Sequence, residues 1–149
     1  MPEIRTVTEI DAPVGVAWSV LSDFKRYPEW NPFLIRVDGE PAVGAPVVLR
    51  VSTPPIKVTF HVKVLVAAVD REIRWKGNFL SDGVMAGEHY FTLEPIGPSR
   101  VRFIHGEIFT GVVSSAVWPL MAPGTRRGYA AMNNAFKKRV EELALQKAS

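Results

Sequence analysis

Three residues of this chain, His89, His105 and Glu107, combine types and spacing that acid–base chemistry can use. Alternation of apolar and polar side chains puts His89 on the face of Phe91 and Leu93, and His105 and Glu107 on the face of Val101 and Phe103. Between the two runs, Ile96-Gly97-Pro98-Ser99 is a turn signal, which predicts adjacent strands of a hairpin carrying all three polar groups on one apolar face. A buried imidazole beside a carboxylate can serve as general base or acid near neutral pH, because each partner shifts the other's pKa. Cyclisation, dehydration and enolisation of a carbonyl substrate need only that kind of group. The same residues also read as satisfied interior polar groups, or as a set that a bulge divides by turning one outward. Two histidines and a carboxylate are a ligand set for zinc or non-haem iron, yet no ligand-rich spacing accompanies them, so no metal and no other cofactor is expected. His61 falls on the polar parity of its own run and is expected at the surface.

A second set is apolar: Trp75, Phe79, Met85, Val117, Leu120, Met121, Tyr129 and Met132, with Phe91 and Phe103 beside the histidines. Aromatic rings with flexible methionines suit a pocket for a hydrophobic ligand, since methionine repacks around irregular shapes. Tyr129 adds a hydroxyl that can orient a polar group, and with His89, His105 and Glu107 it completes the candidate catalytic residues. Taken singly, each apolar member reads as a core residue. Only the set describes a pocket. The chain contains no Gly-rich phosphate loop of the required pattern, no nucleophile elbow and no HExxH sequence.

These residues must be held by elements that the pattern predicts. Residues 4–10 alternate as a half-buried strand, and Asp11-Ala12-Pro13 opens a helix bearing Val14, Trp18 and Leu21. Ser22 and Asp23 are cap candidates for a second short helix from Phe24 to Trp30, which Asn31-Pro32 ends. Strands are expected at 34–37 and through Val47, Leu49 and Val51. A long one carries Phe60, Val62, Val64 and Val66 on one face, and another carries Ile73 and Trp75. Residues 77–87, with three glycines, read as a long loop. Pro119 and Ala122-Pro123-Gly124 predict a helical region broken in two, its second part running to Leu145 with Tyr129, Met132, Phe136, Val140 and Leu143 on one face. The loop 77–87 and the segment 119–124 are candidate gates. Trp18 and Trp30 are expected to pack the short helices on the sheet, and Asn31 to bond the backbone of its turn.

The 149 residues fit one domain, 1–149, and the 47% hydrophobic and 22% charged content is that of an ordinary globular chain. Absence of cysteine excludes disulfides and thiol nucleophiles. A net charge of +3 invites a nucleic-acid reading, but basic residues are dispersed and Lys137-Lys138-Arg139 is followed by Glu141-Glu142, a solvated helix face. No nucleic-acid partner is expected. No run of eighteen or more apolar residues suggests a membrane span, and MPEIRTVTEI lacks the pattern of a secretory signal, so a cytoplasmic protein is expected.

Strand, two short helices, about six strands and a long C-terminal helix describe an α+β domain with an antiparallel meander. Residues 10–34, with Pro13, Trp18, Asp23, Phe24, Tyr27, Trp30, Asn31, Pro32 and Phe33, resemble the opening motif of the START-like or SRPBCC superfamily, in its polyketide cyclase/dehydrase-like branch. Residues 87–111 resemble the late hairpin of the same branch. The resemblance implies a helix-grip fold, a curved sheet of six or seven strands around the long helix, with a ligand cavity between them. It implies binding of a hydrophobic or aromatic small molecule, lipid- or polyketide-like. Alternatives are a cyclase/dehydrase-type enzyme using the His, Glu and Tyr groups, and an interaction module similar to chaperone-activator-like members. Monomer and homodimer both remain open, since an edge strand near residues 34–51 can pair with another copy.

Overall fold

The computed structural model describes residues 2–148. Its strands are β1 (Glu3–Ile10), β2 (Leu34–Asp38), β3 (Pro46–Thr53), β4 (Ile56–Ala68), β5 (Glu72–Phe79), β6 (Met85–Gly97) and β7 (Arg100–Thr110). Helix α1 (Val14–Leu21) and a 3₁₀ helix (Phe24–Glu29) follow β1, and helix α2 (Ser114–Ala148) closes the chain. Short turns join β2 to β7 in sequence, so each strand pairs antiparallel with the next, and β1 returns beside β7 to give the order β1-β7-β6-β5-β4-β3-β2. This is the helix-grip arrangement: one seven-stranded curled sheet with α2 on its concave face. β1 and β2 are the two edges. No helix among the described residues is long and apolar enough to cross a membrane.

Alternation along the strands decides what faces α2. Cross-strand register lines up Val64, Trp75, His89, Glu107 and Ile4 in one row, and Ile73, Phe91, His105 and Thr6 in the next. From α2, Tyr129, Met132, Asn133, Phe136 and Val140 are buried, a spacing of three and four that keeps one face on the sheet. Phe136 lies 4.4 Å from the Phe103 ring and 5.5 Å from that of Trp30, which tilts against Tyr27 at 5.1 Å. Each such fully buried large side chain contributes about 1.5–3 kcal/mol. Trp18 and Trp30 pack on this core from α1 and the end of the 3₁₀ helix, as their positions predict. Asn31 Oδ1 accepts from the backbone N–H groups of Phe33 and Leu34, both at 2.9 Å, and shapes the entry to β2.

Three expectations are corrected. Helix α2 is continuous through Pro119 and Pro123 rather than broken. The carbonyls deprived of a donor belong to Ser115 and Pro119, both exposed, so water can replace the missing bonds, while Trp118 packs against Phe109, ring centroids 4.9 Å apart, and holds the segment down. Residues 77–87 form little loop, since β5 runs to Phe79 and β6 starts at Met85, with Gly77 paired to Gly87. Those glycines make room on the concave face. A Cβ at Gly77 would stand 2.8 Å from Val62 Cγ1, and one at Gly87 2.5 Å from Glu107 Oε2. Finally, neither short helix has a side-chain bond at its N-cap, although Asp23 occupies that position of the 3₁₀ helix as expected. Pro13 occupies the N-cap of α1, Asp23 makes no cap bond and pairs with Arg26 at 3.3 Å, and Ser22 Oγ instead donates to the Trp18 carbonyl at the other end of α1.

Candidate functional site

Strand pairing sets His89 opposite Glu107 and Phe91 opposite His105. All three polar side chains therefore rise from the concave face of the β6–β7 hairpin toward α2. Tyr129 and Asn133 descend on them from successive turns of the helix. Tyr129 stacks on the His105 ring with 3.9 Å between centroids and 6° between planes, and its hydroxyl donates to Glu107 Oε1 at 2.8 Å. The two histidines meet through their Nε2 atoms at 2.8 Å. His105 Nδ1 lies 2.8 Å from Asn133 Oδ1, and Asn133 Nδ2 donates to Thr6 Oγ1 at 2.9 Å. Thr6 in turn donates to the His105 carbonyl at 2.7 Å. A continuous polar chain thus runs from Glu107 through Tyr129, His89, His105 and Asn133 to β1.

This chain is embedded in aromatic packing. His89 contacts Trp75 and Phe91, and His105 contacts Phe91 and Phe103, at centroid distances of 4.7–5.7 Å. Burial, with the adjacent His89 adding to it, holds the His105 imidazole well below its ordinary pKa, against a smaller opposing effect of the Asn133 bond. Burial also drives the Tyr129 phenol well above its ordinary value, helped by the charge of Glu107 and the hydrogen bond to it. His105 and Tyr129 are thereby kept neutral. Glu107, with 19% of its side chain exposed, brings the chain to solvent at its concave end.

The structure brings together four of the residues singled out from the sequence: His89, His105, Glu107 and Tyr129. It puts Trp75, Phe91, Phe103 and Met132 in the closed core beneath and beside them. Met85, Val117 and Met121 are half-buried around the first turns of α2. Leu120 is 86% exposed on the far side of that helix, and Phe79 is 63% exposed at the end of β5. Asn133 and Thr6 were not among the candidates. The signal for Asn133 is a polar residue one turn after Tyr129, on the otherwise apolar face of Met132 and Phe136. Thr6 carries no such signal: it shares the less polar face of β1 with Ile4, Thr8 and Ile10, where a threonine is an ordinary strand residue. His61 is exposed, as its parity predicts.

Past Glu107 the concave face opens. The row Val62, Gly77, Gly87 and Phe109 crosses the sheet there, and further out Val58, Phe60 and Phe79 are left uncovered by α2. Two other hollows lie away from this face. One of about 400 Å³ sits between α1 and the end of α2, lined by Trp30, Leu143, Arg26 and Arg139 among others. The second, about 530 Å³, is lined by Pro28, Ile35, Arg36, Asp38, Val48, Arg50 and Thr59. Among the described residues no group of three or more His, Asp or Glu is arranged to hold a metal ion.

A curled sheet gripping one long helix, with polar groups gathered on the concave side, defines a protein of the START-like class. The sequence pattern of the family described as polyketide cyclase/dehydrase and lipid transport matches residues 1–141, and the chain belongs to that family. Solved structures share the fold. The START superfamily protein from Mycobacterium smegmatis is 23% identical, with 95% of this chain and 98% of that one covered, at a TM-score of 0.70. The Zhui aromatase/cyclase from a Streptomyces species is 17% identical, with 94% and 93% covered, at a TM-score of 0.77. Norcoclaurine synthase from Thalictrum flavum, in complex with dopamine and hydroxybenzaldehyde, is 18% identical, with 95% and 87% covered, at a TM-score of 0.68. No curated protein matches the chain.

Proposed function

We propose that this protein binds a hydrophobic or aromatic small molecule, lipid- or polyketide-like, on the open part of the concave face, with its polar end at Glu107 and Tyr129. The observation that carries the reading is the continuity of two surfaces. Val58, Phe60 and Phe79 sit at core positions of the sheet yet remain uncovered, on the same face as Glu107, a partly exposed group of the polar chain. Soluble chains rarely leave such apolar positions bare unless something covers them. A ligand of elongated or bicyclic shape would cover them and present a polar group to the carboxylate. Membership of a family that includes lipid transport and polyketide chemistry supports the ligand class.

Native mass spectrometry of the purified protein, searching for a retained small molecule, tests this reading. Retention of a hydrophobic compound, or a thermal shift with members of a hydrophobic library, is the expected result. A protein that arrives empty and shows no shift across the library would overturn it.

A second reading, a cyclase/dehydrase-type enzyme, is favoured by one specific feature. His89 Nδ1, the Tyr129 hydroxyl and Glu107 Oε1 converge, with Nδ1 and Oε1 3.5 Å apart. A base and an acid side by side are what enolisation and dehydration use. His105→Ala should then abolish turnover with the fold retained, whereas a simple carrier would lose only affinity.

A further inference from the structure

A backbone carbonyl at one end of the polar chain determines where the protons of both histidines lie. The His105 carbonyl can only accept, so Thr6, 2.7 Å away, spends its single hydroxyl proton there. Asn133, bonded to Thr6 Oγ1, must then supply the donor, which turns its Nδ2 to Thr6 and its Oδ1 to His105. His105 Nδ1 therefore carries a proton. Burial keeps His105 neutral, so its Nε2 is bare. The 2.8 Å contact between the two Nε2 atoms needs one proton, and only His89 can provide it. A neutral His89 is left with its lone pair on Nδ1.

That lone pair is short of a donor. Tyr129 has one hydroxyl proton, and it lies on the 2.8 Å contact to Glu107, leaving Nδ1 a fringe contact of 3.4 Å. The other neighbour of Nδ1 is Glu107 Oε1, also an acceptor. Two acceptors side by side at the inner end of the open concave face call for a hydroxyl from outside.

We propose that Thr6, Asn133 and His105 are positioning residues that lock His89 in its Nε2–H tautomer, so that His89 Nδ1 and Glu107 together receive the hydroxyl of a phenol or enol ligand. This deepens the small-molecule reading and rests on it for the ligand, but not for the tautomers. A phenol or enol brings the missing proton. A methyl ether of the same shape meets two acceptors with nothing to offer.

The chain has three histidines, so nitrogen-15 spectra of histidine-labelled protein are simple to assign with single His→Gln variants. In mildly alkaline solution without ligand, His89 should show a bare, pyridine-type Nδ1 and a protonated Nε2, and His105 the reverse. A protonated Nδ1 on His89 would overturn the proposal. Asn133→Leu should release both rings into mixed tautomers, while Asn133→Asp, which keeps the acceptor, should preserve them. If Asn133→Leu does not fold, Thr6→Val serves instead, because it frees the Asn133 amide to turn over. Unchanged tautomers in a folded Asn133→Leu or Thr6→Val protein would remove the positioning role. Addition of naphthol should shift the His89 Nδ1 signal, and its methyl ether should leave the signal in place. Naphthol that binds without moving Nδ1 overturns the ligand assignment. Binding of neither probe also overturns it and counts against the small-molecule reading, while the relay stands or falls on the ligand-free spectra.

Discussion

Acidification through the imidazole range should cost this protein stability at His105, and linkage gives the size of the loss. His105 is fully enclosed beside His89, which holds its folded pKa well below the 6.5 of a free histidine. Below that value the unfolded chain takes up a proton that the folded chain refuses. The unfolded state then binds more protons, so stability falls as pH falls. Over the first pH unit below 6.5 the loss is about 1 kcal/mol, and each further unit approaches about 1.4 kcal/mol until the folded pKa is reached. Above roughly pH 7.5 the effect vanishes, because both states are then neutral. Urea unfolding across a pH series, for wild type and His105→Gln, isolates the contribution, since every other ionisable side chain is common to both proteins. His89→Gln and the double variant separate the share of the ring that touches His105. The difference in unfolding free energy between wild type and His105→Gln should shrink on acidification with the slope given. Parallel curves would mean that folded His105 takes up a proton as readily as an unfolded histidine, and would refute the argument from its burial.

Other substitutions probe the scaffold and the open face. Gly128→Ala in an ordinary helix interior would stabilise by about 1 kcal/mol. Here the added Cβ would overlap the buried Phe33 ring, so a net loss of about 1–2 kcal/mol is expected in thermal or urea unfolding. Phe136→Ala empties the contact between α2, Phe103 and Trp30 and should cost about 3–5 kcal/mol, read as a lower urea midpoint. Phe60→Ser, at a position 46% exposed, should change stability by no more than about 0.5 kcal/mol yet weaken naphthol binding in a calorimetric titration. Unaltered binding in that variant would remove β4 from the ligand surface.

The β6–β7 hairpin was legible because alternation is a local property. Pro98-Ser99 supplies the turn, and every second residue from His89 and from Val101 takes the concave face. The Tyr129 face of α2 was legible for the same reason, at helical period. Glycine and proline misled. Gly77 and Gly87 are loop signals in isolation, but opposite each other in the sheet they clear space for Val62 and the Glu107 carboxylate. Pro119 and Pro123 predict a break that solvent-exposed carbonyls and the packing of Trp118 remove.

By itself the sequence determined the order of elements, the faces they present and the polar residues on those faces. Each follows from steric and solvation preferences acting over a few neighbouring residues. Tertiary structure alone decided that the His89 and His105 rings meet through Nε2, that Asn133 and Thr6 join them to β1, and that Tyr129 and Glu107 lie at the other end. Those facts depend on distances of 2.7–2.9 Å between residues 16 to 127 positions apart, set by how β1, the hairpin and α2 come together. Hydrogen-bond direction is a property of the assembled network, because each donor's role is dictated by the acceptor beyond it.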